Sequence, residues 1–201
     1  MEEFIIGDCT ELLPIKCDFI ITDPPYFVRD VIIISRSKNP QKYVYRGRNI
    51  EVGLWSWDRF SSEEEYLGFT EKWFSRAVEG LKPNGSIIVF FDRLRQYYLW
   101  ELGKKYGVET KMDLGYILTN SVPRARKVDY RRNIVSAWWG VKGKASRKEG
   151  YIFNYELGQG LGYIFCSNIN SFRIHPTEKP IDFLVYQLAY LTKENELVLD
   201  P

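Results

Sequence analysis

Asp23, Pro24, Pro25 and Tyr26 are four consecutive residues whose types can do chemistry together. They follow Phe19-Ile20-Ile21-Thr22, an apolar run that reads as a buried parallel strand. Two consecutive prolines end such a strand and stiffen the loop beyond it, because neither can donate to a ladder and each restricts the residue before it. The loop therefore presents a carboxylate, a prolyl carbonyl and an aromatic face at the edge of a sheet. That set suits a planar ring bearing an exocyclic amine. Asp23 accepts one amine hydrogen, the Pro24 carbonyl accepts the other, and Tyr26 stacks on the ring. A proline turn after a strand also has a plain structural reading, so the case depends on what surrounds the tetrapeptide.

The surrounding elements alternate between strand and helix. Phe4-Ile5-Ile6 reads as a short strand ending in Gly7-Asp8. A helix is predicted from Ser61 or Ser62, where Ser-x-x-Glu forms a capping box, with Tyr66, Phe69, Trp73, Ala77 and Leu81 at helical spacing. Lys82-Pro83-Asn84-Gly85 reads as the turn that ends it, and Ser86 to Phe91 as a fully buried strand. Residues 93–106 are expected to be helical, Tyr116 to Thr119 and Ile134 to Trp139 to be strands, and Pro180 to open a last helix before a strand at Leu197-Val198-Leu199. Trp138 and Trp139 are read as core aromatics. Alternating strands and helices imply an α/β fold with a mostly parallel sheet.

Composition limits the functional classes. A chain of 201 residues that is 45% hydrophobic and 16% aromatic is one globular domain rather than a disordered segment. No apolar run is long enough to span a membrane, and Met1-Glu2-Glu3 lacks the basic region of a signal peptide. Cys9, Cys17 and Cys166 have no metal-ligand spacing and His175 is the lone histidine, so no metal site is expected and the setting is reducing and cytoplasmic. The net charge of +2 hides a segregation. Residues 29–48 carry Arg29, Arg36, Lys38, Lys42, Arg46 and Arg48 against Asp30, and residues 124–148 carry Arg124, Arg126, Lys127, Arg131, Arg132, Lys142, Lys144, Arg147 and Lys148 against Asp129. The rest of the chain is strongly acidic. A basic face on an acidic body suits a nucleic-acid partner.

Taken in order, the pieces resemble an S-adenosylmethionine-dependent DNA amino-methyltransferase of the β class. Four segments carry the resemblance inside the chain: Ile6-Gly7-Asp8-Cys9-Thr10-Glu11-Leu12-Leu13, Thr22-Asp23-Pro24-Pro25-Tyr26, Leu81 to Val89, and His175-Pro176-Thr177-Glu178-Lys179-Pro180. Val198-Leu199-Asp200-Pro201 matches the start of the family's glycine-rich cofactor motif.

The resemblance implies a Rossmann-like methyltransferase fold with circularly shifted motif order. Its catalytic domain would be residues 1–142, with 27–57 as a mobile loop closing over a flipped-out base. A small irregular target-recognition region would be 143–172, and residues 173–201 would return to the catalytic domain. It implies catalysis by Asp23, Pro24, Pro25 and Tyr26, and cofactor binding by Asp8, Asp23, Thr177, Lys179 and Asp200. Contacts to double-stranded DNA would come from Arg124, Arg126, Lys127, Arg131 and Arg132.

The implied reaction is methylation of adenine N6. The alternatives are cytosine N4, an RNA or protein amine, or an inactive DNA-binding fragment. A homodimer and a cognate restriction endonuclease are compatible with the family. In the family the sequence continues from Asp-Pro into Phe-x-Gly-x-Gly, so the chain is expected to be either truncated at that motif or completed by something else, with a gap or an unpaired edge in its sheet.

Overall fold

A six-stranded sheet organises the computed structural model, which describes residues 3–27, 44–45, 48–49, 60–121, 130–167 and 178–201. In chain order the elements are α1 (Cys9–Leu12), β1 (Cys17–Thr22), β2 (Val44–Tyr45), β3 (Arg48–Asn49), α2 (Glu63–Gly80), β4 (Leu81–Phe90), α3 (Gln96–Tyr106), β5 (Val108–Leu118), β6 (Ile134–Lys142), β7 (Tyr163–Cys166), α4 (Ile181–Leu191) and β8 (Val198–Leu199). The sheet order is β7-β5-β6-β4-β1-β8, with β2 and β3 forming a separate antiparallel pair. β1 runs parallel to β4 and β8, and β5 parallel to β7, while β6 is antiparallel to both its neighbours. This is the expected α/β, Rossmann-like, mostly parallel sheet. Among the described residues no helix is long and apolar enough to cross a membrane.

The chain falls into two units, Met1–Pro24 with Glu71–Pro201, and Pro25–Thr70. The first holds the sheet. On one face, Phe74 packs on Trp138 with ring centroids 5.8 Å apart. α3 is brought close by Gly103, where an added Cβ would lie 2.8 Å from the Val108 carbonyl oxygen. On the other face, Phe183 of α4 sits 5.5 Å from the Phe90 ring and 5.6 Å from that of Tyr116. Fully burying one side chain such as Phe183 contributes about 2 kcal/mol. Successive residues of a strand point to opposite faces. The adjacent Trp138 and Trp139 therefore serve the two cores separately, and both are buried, as read from the sequence. α3 ends on Gly107 in the left-handed region (φ 72°), whose N–H returns to the Gly103 carbonyl.

In the second unit, Phe27 stacks on Tyr66 with centroids 5.6 Å apart, and Phe60 meets Tyr66 edge-on at 5.1 Å. Ser62 and Glu65 meet as the capping box predicts, with the return bond displaced by one residue: the Glu65 N–H donates to the Ser62 hydroxyl at 3.1 Å, and the Ser61 N–H donates to the Glu65 carboxylate at 2.7 Å. Of the segment 27–57 expected to be a mobile loop, all but Phe27 and the two-residue strands β2 and β3 lie outside the described residues.

Several boundaries differ from the sequence reading. Phe4-Ile5-Ile6 is not a strand; its residues are exposed and join no ladder, because β8 rather than this segment lies at that edge of the sheet. Lys82-Pro83-Asn84-Gly85 is not a turn between elements but the early part of β4. Between Cys17 and Phe19 the β4 partner advances from Leu81 to Ser86, so the extra residues bulge out, with Asn84 at φ 61°. β5 begins at Val108, eight residues before the predicted Tyr116, and β7 adds a strand that the sequence reading lacked.

Candidate active site

Ligands of open α/β sheets bind beyond the C-terminal ends of the strands, where strand order reverses. Here that place is β1, with β4 on one side and β8 on the other. Asp23 is the first residue past β1, and Asp200 the first past β8. Phe90 is the last residue of β4. Because β1 and β8 are parallel and paired, with Ile20 opposite Leu199, both carboxylates emerge from the same sheet edge.

Lys179, one residue before the Pro180 that caps α4, reaches this edge from outside the sheet. Its ammonium donates to the Asp23 carboxylate in an ion pair. It also lies 5.0 Å from the centre of the Phe90 ring, in cation–π range. The Lys179 side chain is only 13% exposed and that of Asp23 31%.

Asp200 keeps an exposed edge as a residue, yet the protein mass around its carboxyl desolvates it and holds its pKa above the ordinary value. A hydrogen bond from Thr22 opposes the rise, the charge of Asp23 adds to it, and the Lys179 ammonium opposes it. Thr22 is itself buried, and its hydroxyl lies 3.5 Å from the Pro201 carbonyl oxygen. Next to Lys179 in sequence, a carboxylate oxygen of Glu178 is buried with no hydrogen-bond partner among the described residues.

Of the residues expected at the site, the structure brings Asp23, Lys179 and Asp200 together. Pro24 is buried behind Asp23. Pro25 and Tyr26 open the second unit, where Tyr26 is half-buried. Asp8 takes another local role: its exposed carboxylate caps α1, accepting the Thr10 N–H at 2.8 Å. Hydrogen bonds from the Thr10 side chain and backbone hold its pKa below the ordinary value. Arg131 and Arg132 are exposed beside an almost fully exposed Tyr130. Thr177, with its neighbour His175, and Arg124, Arg126 and Lys127 lie outside the described residues.

Sequence reading missed Thr22, Phe90 and Glu178. Thr22 carried a signal, as the polar last residue of an apolar strand. Phe90 carried none, because the last phenylalanine of a buried strand looks like any core residue.

The donor set fits S-adenosylmethionine. Two carboxylates on one edge suit a ligand with an ammonium and a sulfonium, and a lysine suits its carboxylate. Among the described residues no group of three or more His, Cys, Asp or Glu side chains is arranged to hold a metal ion.

Comparison with known proteins shows the family. The profile of the N6_N4_Mtase family, described as DNA methylase, matches residues 17–201. The chain belongs to this family of DNA methylases.

It is 25% identical to the Type II methyltransferase M2.DpnII of Streptococcus pneumoniae, over 96% of this chain and 72% of that protein. It is 26% identical to M2.LlaDCHI of Lactococcus lactis subsp. cremoris, over 95% of this chain and 71% of the other. Against the Type II methyltransferase M.HinfI of Haemophilus influenzae it is 26% identical, over 97% of this chain but 57% of the other.

Among solved structures, the M1.HpyAVI–SAM complex superposes with a TM-score of 0.65 at 21% identity, covering 93% of this chain and 72% of that one. The cytosine-N4-specific PvuII DNA methyltransferase does so with a TM-score of 0.65 at 19% identity, covering 97% and 72%.

Proposed function

We propose that this DNA methyltransferase acts on adenine N6 in a short duplex sequence, with Asp23 as the acceptor that prepares the amine. The observation that carries the reading is the pair of carboxylates, Asp23 and Asp200, at one sheet edge around the Lys179 ammonium.

The N6 lone pair is delocalised into the purine ring, so the amine is a poor nucleophile. Accepting its two hydrogens at Asp23 and at the Pro24 carbonyl favours a pyramidal nitrogen with a more available lone pair. When bound, S-adenosylmethionine supplies an electrophilic methyl group on a sulfonium centre. Holding the amine in line with that methyl supplies much of the acceleration, since positioned reactants avoid the entropy of meeting. A base inside a duplex is out of reach, so the adenine must be flipped out, and Tyr26 offers the face on which it stacks.

The remaining roles follow the family resemblance. Asp200, Asp8, Thr177 and Lys179 hold the cofactor, together with Asp23. Arg124, Arg126, Lys127, Arg131 and Arg132 contact backbone phosphates. The reading includes residues 143–172 as the target-recognition region of a catalytic domain made of 1–142 and 173–201, a cytoplasmic setting, a homodimer, and a companion restriction endonuclease. The aspartate at position 23 supports adenine, because in this family Asp in the first motif position usually, though not always, goes with adenine and Ser with cytosine.

The test is Asp23→Ala, followed by transfer of a tritiated methyl group from S-adenosylmethionine to unmethylated genomic DNA. Transfer should fall by about 10³-fold or more, while DNA affinity stays within about threefold. Loss of DNA binding together with transfer would make Asp23 a folding residue and contradict the assignment.

A further inference from the structure

We propose that Lys179 is a positioning residue that sets the orientation of the Asp23 carboxylate and acts on methyl transfer through it. The proposal rests on Asp23 being the acceptor for the target amine, and it adds a role distinct from contact with the cofactor.

The rotamer of Asp23 decides whether its lone pairs meet the incoming amine, and Lys179 helps to set it by holding Oδ2. A carboxylate offers about four acceptor sites over two oxygens, so one can hold the ammonium while another accepts an amine hydrogen.

The lysine is itself fixed from several sides. Its ammonium is drawn to Asp23 and Asp200 and lies over the Phe90 ring at 5.0 Å. Its stem is largely buried, and its backbone leads directly into Pro180 and α4. The ammonium thus ties the start of α4 to the ends of β1 and β4, and the charge of Asp200 just past β8 acts on it as well. A compact ammonium fits such a junction better than a planar guanidinium, whose fork demands coplanar acceptors.

A lysine serving only the cofactor carboxylate would contribute to binding and leave Asp23 unaffected. A lysine that also positions Asp23 would change the saturated rate and respond to the loss of Asp23, and two readouts separate the cases.

In the cofactor-free protein, the rate at which acetic anhydride modifies Lys179 is followed by peptide mass spectrometry, with the exposed Lys104 as internal reference. Asp23→Asn should raise the Lys179 rate about fivefold or more, through loss of the charged partner, and leave Lys104 unchanged. With S-adenosylmethionine and DNA saturating, so that lost cofactor affinity does not enter the readout, Lys179→Met should slow single-turnover transfer by about tenfold or more. Lys179→Arg should restore part of the rate. In an Asp23→Asn background the Lys179→Met change should have no further effect, because the two act as one unit.

The proposal is overturned if Lys179 modification is indifferent to Asp23→Asn. It is equally overturned if Lys179→Met weakens cofactor binding tenfold with an unchanged saturated rate. A wild-type protein that transfers no methyl group contradicts the proposed function itself, whereas either of the two preceding results leaves that function standing.

Discussion

The two ends of the central strands treat charge in opposite ways. At the N-terminal ends of β1 and β4, Asp18 accepts the Leu197 N–H at 2.8 Å and pairs with Lys82 at 3.2 Å, and Lys82 also pairs with Glu196. Lys142 donates to the carbonyls of Leu81 at 2.6 Å and Glu79 at 3.2 Å, tying β6 to the end of α2. The Leu197 N–H, with Lys82, holds Asp18 below its ordinary pKa. At the C-terminal ends, Asp23 pairs with Lys179, and burial of the carboxyl holds Asp200 above its ordinary pKa. The first set of charges stabilises the fold. In the second, Asp200 is charged against the preference of its surroundings, as groups at functional sites often are.

The contrast can be broken most directly at its two aspartates. Asp200→Asn removes a charge that the fold disfavours but a cationic cofactor needs. S-Adenosylmethionine affinity should fall about 10–100-fold by calorimetry, the worth of a hydrogen bond to a charged group. The cofactor-free protein should meanwhile melt no lower than wild type and up to about 2 °C higher, the shift being small because Asp200 keeps an exposed edge.

Asp18→Asn should do the opposite, leaving cofactor affinity unchanged and lowering stability by about 1 kcal/mol, or about 3 °C in Tm. If both variants lost affinity, or both lost stability, the two ends would not differ as described.

The same pair predicts opposite pH trends. Asp18 has a lowered folded pKa, so its contribution is present above its unfolded pKa and is lost as pH falls through the folded value. Asp200 has a raised folded pKa, so its ionisation lowers stability as pH climbs from the unfolded pKa through the folded one. Chemical denaturation from pH 3 to 7 should therefore show the Asp18→Asn deficit growing with pH and the Asp200→Asn gain growing with pH.

The smallest effect concerns the exposed basic residues. Replacing Arg131 and Arg132 by Ala should weaken DNA binding across all sequences. It should also reduce the slope of log K against log salt by about 2, near one unit for each phosphate left without its arginine. An unchanged slope would place both residues away from the DNA.

How far the sequence reveals this molecule depends on whether the signal is local. The capping box of Ser62 and Glu65, the strand at Phe19 to Thr22 and the proline entry to α4 were all legible, because neighbours within one turn or one strand set them. The carboxylates at 23 and 200 were legible as motif residues. Their meeting at Lys179 was not, since it depends on β1 and β8 being paired across 179 residues of chain.

The errors have the same cause. Phe4 to Ile6 has the composition of a strand but no partner among the described residues, and apolar content alone does not make a ladder. Pro83-Asn84-Gly85 has the composition of a turn, yet pairing on both sides of the bulge carries it into β4. The first half of β5 is polar because its outward residues are exposed, which hides it from a search for apolar runs.

The most direct test of the central claim is to incubate the protein with unmethylated duplex DNA and S-adenosylmethionine, digest the DNA to nucleosides and identify the methylated base by mass spectrometry. The account predicts N6-methyladenine, absent from the Asp23→Ala reaction. N4-methylcytosine would contradict the adenine assignment, and no methylated base would contradict methyl transfer at the Asp23 site.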